Sequence, residues 1–444
     1  MKLIEHKILI PLDDGKQLLV NSLNGLIDEI DKKTSNIIKR WSLVEEIIPC
    51  NEEEDKLLEE LLKRGYIVDD ALEEEKLMDN ILSKLKTSVD KSKKIKENIT
   101  LVLTYSCNFR CPYCFELDNP PSAKIMTKEM VNKIFSMLYG QVKRIHLFGG
   151  EPLLPKTYEI VQYVFQRWNE VEYQITSNGY YLSEFIGLLK QVKIRCITVT
   201  LDGSKKTHDS RRFLSNGLPT YDKIINGVEK CLKNNIPIRI RMNVNKENLE
   251  ECIEQKKILM ETLPNADQCL SFEITPVFQV NEEERVMLTK RLISLDIGKN
   301  EQEMDINNHA FLSENSPLLK YLLYNRPMRP MYNYCYAHNN YLVFDPHGYI
   351  YPCITAVGKK HYSVGTYFPK IEYQQNGIYS RNIETIPECR KCKYALLCGG
   401  GCPLGISDKN NLYKPNCFQT MQDIYAIAPY VYIKHNNEFL KGLN

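Results

Sequence analysis

Long apolar runs are missing from this 444-residue chain. No stretch approaches the ~20 apolar residues that a membrane-crossing helix needs. Excess charge is missing too: 58 Lys and Arg against 56 Asp and Glu leave a net charge of +2, without the basic footprint of a nucleic-acid binder. The opening residues MKLIEHKILIPLDDGK are charged from the start and lack the apolar core and cleavage site of a secretory signal. A cytoplasmic protein with no membrane and no nucleic-acid partner is expected.

Cysteine, by contrast, is abundant. There are 15, and in a reducing compartment such a number points to metal rather than to a disulfide framework. Three fall in SCNFRCPYCFE, as Cys107, Cys111 and Cys114, and seven more lie between Cys335 and Cys417. Cys50, Cys196, Cys231, Cys252 and Cys269 are scattered and read as small apolar residues. Cys231 is in helical register with Ile224, Ile225 and Val228.

Residues 1–85 read as a separate unit: a hairpin from HKILIPL and QLLVNSL around a DDG turn, a further strand, then two helices, the second stopped by Gly65. Residues 86–97 are polar and basic, a linker or exposed helix. Over 98–290, strand and helix patterns alternate through ITLVLTYS, RIHLFGG, YQITSNG, IRCITVTLDG, IPIRIRMNVN and CLSFEITPV. Six such steps imply an α/β fold with a parallel sheet and right-handed crossovers. Helix faces such as Met130, Ile134 and Leu138, or Val161, Val164, Phe165 and Trp168, are core positions. Residues 291–330 form a bridging region, and 331–444 hold short strands, many glycines and seven cysteines, so metal is expected to do part of the structural work.

The chemistry concentrates at strand ends, where parallel α/β folds place it. Cys107, Cys111 and Cys114 follow the first barrel strand with spacing C-x3-C-x2-C, one short of a closed tetrahedral set. Soft thiolates so closely spaced suit zinc or an iron–sulfur cluster. After the second strand comes GGEP, Gly149, Gly150, Glu151 and Pro152. It reads either as a plain turn or as a close backbone approach to a ligand, with the Glu151 carboxylate free to accept from an ammonium. Ser177 in TSNG and Thr200 in TLDG bring small hydroxyls to the ends of strands three and four. In the tail, Cys335, Gly348 and Cys353 read C-x12-G-x4-C, and Cys389, Cys392, Cys398 and Cys402 read C-x2-C-x5-C-x3-C, with Cys417 closing the set. By itself the second pattern also suits a zinc ribbon.

The cysteine loop with Tyr113 before its third cysteine, the strand–loop–helix context and GGEP together resemble the radical S-adenosylmethionine (SAM) enzymes. That resemblance implies a partial (β/α)6 TIM barrel and a [4Fe–4S] cluster whose open iron binds SAM. It also implies that Tyr113, the GGEP residues, Ser177, Thr200 and Arg212 surround SAM, with Arg212 offered to its carboxylate. The seven later cysteines resemble a SPASM domain, which implies two auxiliary clusters, one on Cys389, Cys392, Cys398 and Cys417 and one on Cys335, Cys353 and Cys402. The stretch NRPMRPMYNY before Cys335 holds no further cysteine. The gap is then filled by Cys269 folding back or by a non-cysteine group, or the cluster is a smaller one, or an iron position stays open to a substrate thiol. Residues 1–85 resemble the winged-helix-like leader-recognition domains of peptide maturases.

Together these imply an enzyme that binds the leader and core of a precursor peptide and draws electrons from a donor such as flavodoxin or ferredoxin. The reaction implied first is a cysteine thioether crosslink, after the sactipeptide and ranthipeptide maturases. A carbon–carbon crosslink or other peptide oxidation, and formylglycine formation of the anaerobic sulfatase-maturing type, are the alternatives. A zinc-stabilised peptide-binding module and an iron–sulfur electron carrier are the non-catalytic rivals.

Overall fold

A computed structural model describes the chain except for residues 93–95, 117–121, 278, 296–315, 339–340, 375–376, 407–410 and 442–444. Much of the bridging region expected at 291–330 therefore lies outside the described residues. Among the described residues no helix is long and apolar enough to cross a membrane.

The chain opens with β1 (Lys2–Leu3), the hairpin β2 (Lys7–Pro11) and β3 (Gln17–Asn21), and β4 (Ile27–Ile30), which pairs with β3. Helices Lys32–Trp41 and Glu52–Lys63 follow, started by Asp31 and Asn51, whose side chains accept from Thr34 N and Glu54 N. Gly65, at φ +71°, turns the chain into β5 (Ile67–Val68), which pairs with β1. The three-stranded sheet is covered on both faces. Leu19 packs with Ile38 and Trp41 of the first helix, whereas Ile8, Ile10, Leu18 and Val20 pack with Leu318, Leu319, Ile424, Ile427 and Val431 of the C-terminal half. The next helix, Ala71–Ser92, runs through the first part of the stretch read as a linker. Its Glu74 carboxylate ties down the chain start, accepting from Glu5 N at 2.8 Å and from His6 N at 3.0 Å.

The barrel strands are β6 (Asn98–Val102), β7 (Arg144–Phe148), β8 (Glu172–Ser177), β9 (Lys193–Thr200), β10 (Ile238–Val244) and β11 (Leu270–Pro276). They pair in chain order, all parallel. Strict alternation puts one face of each strand against the helices. In β10, Ile238, Ile240, Met242 and Val244 are buried in the helix-packed core, while Arg239, Arg241 and Asn243 face the other way. The barrel interior is thereby polar. Inside it Arg241 holds Glu273 through two bonds of 3.1 Å, and His146 Nε2 meets Thr176 Oγ1 at 2.9 Å. Burial pushes the His146 imidazole down to about 3.

The cysteine-rich tail does not stand apart as a separate sheet. Its first strand, β12 (Leu342–Phe344), pairs in parallel with β6, and β13 (Tyr349–Tyr351), β14 (Gly365–Thr366) and β15 (Glu372–Tyr373) continue antiparallel to make a sheet of ten strands. Four of the five β6 residues are buried, so an uncovered edge there would leave backbone groups of a core strand unpaired. The β12–β13 turn reaches the cysteine loop. Asp345 accepts from Tyr105 OH at 2.9 Å, and the His347 ring stacks on Tyr105 and meets Ser122 Oγ at 3.0 Å.

Candidate active site

The cysteine loop leaves the top of β6 and is laced to its surroundings by backbone. Arg110 N donates to Phe213 O at 3.0 Å, Ser215 N to Asn108 O at 2.9 Å, and the buried Phe109 ring anchors the middle. Cys114 N donates to Cys111 O at 3.2 Å, closing the turn that gathers the thiols. Burial pushes all three thiols up, Cys107 to about 12. Thiolates here need a cation to become stable, and a metal cluster supplies one.

The glycines of GGEP serve this loop directly. A Cβ on Gly150 would stand 2.5 Å from Tyr105 O and 2.6 Å from Ser106 O, and one on Gly149, at φ +141°, would collide with Thr104 O. Their absence lets Gly150 N donate to Thr104 O and Glu151 N to Ser106 O, both at 2.9 Å. What the two glycines approach closely is the start of the cysteine loop. Glu151 is buried and its carboxyl is pushed up to about 7 by burial. It accepts from Leu153 N at 2.8 Å, Ser177 Oγ at 2.8 Å and Asn178 N at 2.5 Å. About one of a carboxylate's four acceptor positions is left for an ammonium. Ser177 is thus committed to holding Glu151, and Pro152 O accepts from Thr157 Oγ1 at 2.6 Å. Thr200 closes β9, buried, opposite Arg241.

Tyr113 joins the cysteine loop to the ends of β9 and β10. Its hydroxyl donates to the buried Asp202 carboxylate and accepts from Arg212 Nη1 at 2.9 Å and from Asn243 Nδ2 at 3.5 Å. Asp202 also takes Asn243 N at 3.0 Å and Arg211 Nε at 3.4 Å. The Arg211 guanidinium lies over the Tyr113 ring and that of Arg212 over Phe109. Arg212 is 8% exposed, and its Nε has no hydrogen-bond partner. A buried cationic donor left open beside three thiols suits an anionic group such as a carboxylate. His208 and Asp209 are structural: His208, held neutral by burial, bridges Asp202 N and Thr220 Oγ1, and Asp209 accepts from Thr220 N and Tyr221 N.

Four further residues belong to this site. Asn178 Nδ2 is 3.7 Å from Cys107 Sγ and 2.8 Å from Asn108 Oδ1, and Asn108 Nδ2 is buried without a partner. Asp202 and Asn243 complete the set. Asn178, Asp202 and Asn243 fall within two residues of the carboxyl end of a barrel strand, and that position was the available signal.

The tail cysteines fall into two groups. Cys389, Cys392, Cys398 and Cys417 are mutually coupled by charge, and Cys335, Cys353 and Cys402 form another coupled set. Burial pushes Cys335 and Cys389 up to about 12. Three consecutive glycines, Gly399, Gly400 and Gly401, take positive φ of 61°, 86° and 74° and carry the chain between the two groups. Among the described residues no set of three or more His, Cys, Asp or Glu could hold a single metal ion. The all-thiol donor sets suit iron–sulfur clusters, which spread ligands over several irons. Cys269 packs against the barrel core at the start of β11. A cleft of about 690 Å³ reaches Cys335 between helix Ala71–Ser92 and the segment carrying Lys320, Arg326, Arg329 and Tyr332.

Comparison with known proteins bears on the fold that carries these residues. Residues 101–255 match the Radical SAM superfamily. Curated relatives include the GTP 3′,8-cyclase of Nautilia profundicola, 27% identical over 162 residues, or 35% of this chain and 49% of the relative. The probable GTP 3′,8-cyclase of Pyrococcus abyssi is 30% identical over 152 residues, 33% of this chain and 47% of the relative. The chain spans about half the length of these relatives. Among solved structures, anSMEcpe with bound AdoMet and the Kp18Cys peptide is 17% identical with a TM-score of 0.55, covering 78% of this chain and 98% of that one. Streptococcus suis SuiB bound to precursor peptide SuiA is 16% identical with a TM-score of 0.52, covering 94% of this chain and 99% of that one. The fold is therefore a radical SAM core of mostly parallel strands with additions at both ends.

Proposed function

We propose that this chain, built on the radical SAM domain of residues 101–255, modifies a ribosomally made precursor peptide and forms a cysteine thioether crosslink in it. When bound, a [4Fe–4S] cluster and SAM would supply the radical chemistry for removing hydrogen from a substrate carbon. Cys107, Cys111 and Cys114 would hold the cluster. Arg212, with its open Nε, would bind the SAM carboxylate, and the remaining acceptor position of Glu151 its ammonium. Tyr113 and Asp202 orient Arg212, Ser177 orients Glu151, and Thr200 lines the barrel mouth. The buried walls exclude water from a radical.

The observation that carries the peptide reading is the fit to SuiB over 94% of this chain, both terminal additions included, since SuiB is bound there to a precursor peptide. Among the described residues the edges of the small sheet, β2 and β4, pair on one side only, and an extended leader would add there by backbone hydrogen bonds. The cleft beside Cys335 then offers the core of the peptide a way to the three-thiol set. That set, on Cys335, Cys353 and Cys402, favours the thioether over the carbon–carbon crosslink and over formylglycine formation, because it leaves a position for a substrate thiol. Cys389, Cys392, Cys398 and Cys417 would hold the third cluster, and a cytoplasmic flavodoxin or ferredoxin would supply electrons.

The test is anaerobic incubation of the reconstituted protein with SAM, reductant and a leader-bearing, cysteine-containing peptide. Loss of two hydrogens with a cysteine that no longer alkylates is expected, and GTP in the same assay should stay unchanged. A modified peptide with its cysteine still alkylatable would replace the thioether by the carbon–carbon alternative.

A further inference from the structure

One side chain in the tail carries a charge that no carboxylate among the described residues balances. Arg381 is 0% exposed and ranks among the largest fully buried side chains. Its Nε donates to Leu412 O at 2.7 Å, Nη1 to Gly401 O at 2.7 Å, and Nη2 to Gly400 O at 2.6 Å and Lys414 O at 2.9 Å. Gly400 and Gly401 lie between Cys398 and Cys402, and Leu412 and Lys414 precede Cys417. On the other side, Asn333 Nδ2, two residues before Cys335, donates to Arg381 O at 3.2 Å. The guanidinium therefore fastens the loops that carry thiols of both groups.

Carbonyl oxygens satisfy the donors of a buried guanidinium and leave its charge uncompensated. The nearby groups able to compensate it are thiols: Arg381 is coupled to Cys389, Cys398, Cys402 and Cys335, which come from both sets. Neutral thiols would leave this arrangement electrostatically incomplete, whereas metal-bound thiolates complete it.

We propose that Arg381 is a positioning residue and the shared counter-charge of both auxiliary clusters, locking their ligand loops together and raising the reduction potential of both. This rests on the reading of the seven tail cysteines as two clusters. The physical reason is that a fixed positive charge in a low-dielectric interior favours the more negative, reduced form of a nearby cluster. Arg suits the place because its planar fork reaches several carbonyls at once while keeping its charge.

The test compares full-length, anaerobically reconstituted wild type with Arg381→Gln and Arg381→Lys. Iron and sulfide content is measured first, then cluster midpoints by EPR-monitored redox titration. In Arg381→Gln both auxiliary midpoints should fall by about tenfold in the one-electron equilibrium, or about 59 mV, with the Cys107–Cys114 cluster unshifted and Arg381→Lys close to wild type. Unchanged auxiliary midpoints in the Gln variant, or a shift of one cluster only, would overturn the proposal. Should Arg381→Gln fail to assemble the auxiliary clusters, Arg381→Lys decides: recovery by the charge supports the role, and no recovery refutes it. Wild type holding iron and sulfide for one cluster alone would refute the two-cluster reading itself, which separates that failure from a failure of Arg381.

Discussion

Adding one methyl group at Gly150 should disable the candidate active site, and the same change at Gly187 should not. At Gly150 the new Cβ would lie 2.5 Å from Tyr105 O, 2.6 Å from Ser106 O and 2.7 Å from Ser106 C, all backbone atoms that cannot swing away. Overpacking of this kind destabilises by about 1–3 kcal/mol. Moving the loop also strains the bonds from Gly150 N to Thr104 O and from Glu151 N to Ser106 O. Each of these contributes about 1 kcal/mol, so the local change amounts to roughly 3–5 kcal/mol. Gly187, inside helix Leu182–Leu189, has nothing within 4 Å of its Cβ position and no positive φ. Gly187→Ala should therefore stabilise by about 0.5–1 kcal/mol. Hydrogen exchange over residues 101–107, iron content and 5′-deoxyadenosine formation read the outcome. Gly150→Ala should speed exchange there, lose the iron held by Cys107, Cys111 and Cys114, and form no product. A Gly150→Ala enzyme with full iron and normal turnover would refute the claim that GGEP acts by pressing on the cysteine loop.

Arg212→Met should weaken SAM binding by at least tenfold while iron content stays normal, whereas an equal affinity in equilibrium dialysis would remove Arg212 from the SAM site. Burial pushes the Asp423 carboxyl up to about 7. The folded chain then holds a proton that the unfolded chain releases near pH 4, so this residue's contribution falls as pH rises from about 4 to about 7, by on the order of 4 kcal/mol at most. Asp423→Asn should flatten the pH dependence of the holoenzyme's thermal midpoint between pH 5.5 and 7.5, roughly within that window, and an unaltered slope would contradict it. Gly401→Ala, at φ +74° against Asn416 O, should strip iron from the tail while sparing the Cys107–Cys114 loop, as iron analysis and EPR would report.

Period and spacing made much of this architecture legible. Strand–helix alternation from residue 98 onward foretold six parallel strands, and the apolar faces at Met130, Ile134, Leu138, Val161 and Val164 are buried as their helical register implied. The hairpin around Gly15 and the stop at Gly65 were equally readable, because turn chemistry is local. Long-range pairings were not. Nothing in the short stretch YLVFD indicates that β12 would join β6, since that depends on a buried strand edge more than two hundred residues away. The same limit applies to GGEP, whose glycines look suited to a ligand but are filled by the chain's own carbonyls. Asp202, Asn178 and Asn243 escaped because a lone polar residue at a strand end looks like a turn until its neighbours are known. Arg381 escaped for a related reason: its partners are backbone oxygens and thiols, which leave no charge pattern in the sequence.

The most direct measurement is of 5′-deoxyadenosine made from SAM by anaerobically reconstituted, reduced protein, set against the Cys107→Ala, Cys111→Ala and Cys114→Ala variants. Wild type should be brown, contain iron and sulfide, and form 5′-deoxyadenosine, more of it with the peptide present. Each variant should form none while keeping the iron held by the tail cysteines. A colourless wild type containing zinc without sulfide, or a cysteine variant with unchanged turnover, would contradict the account.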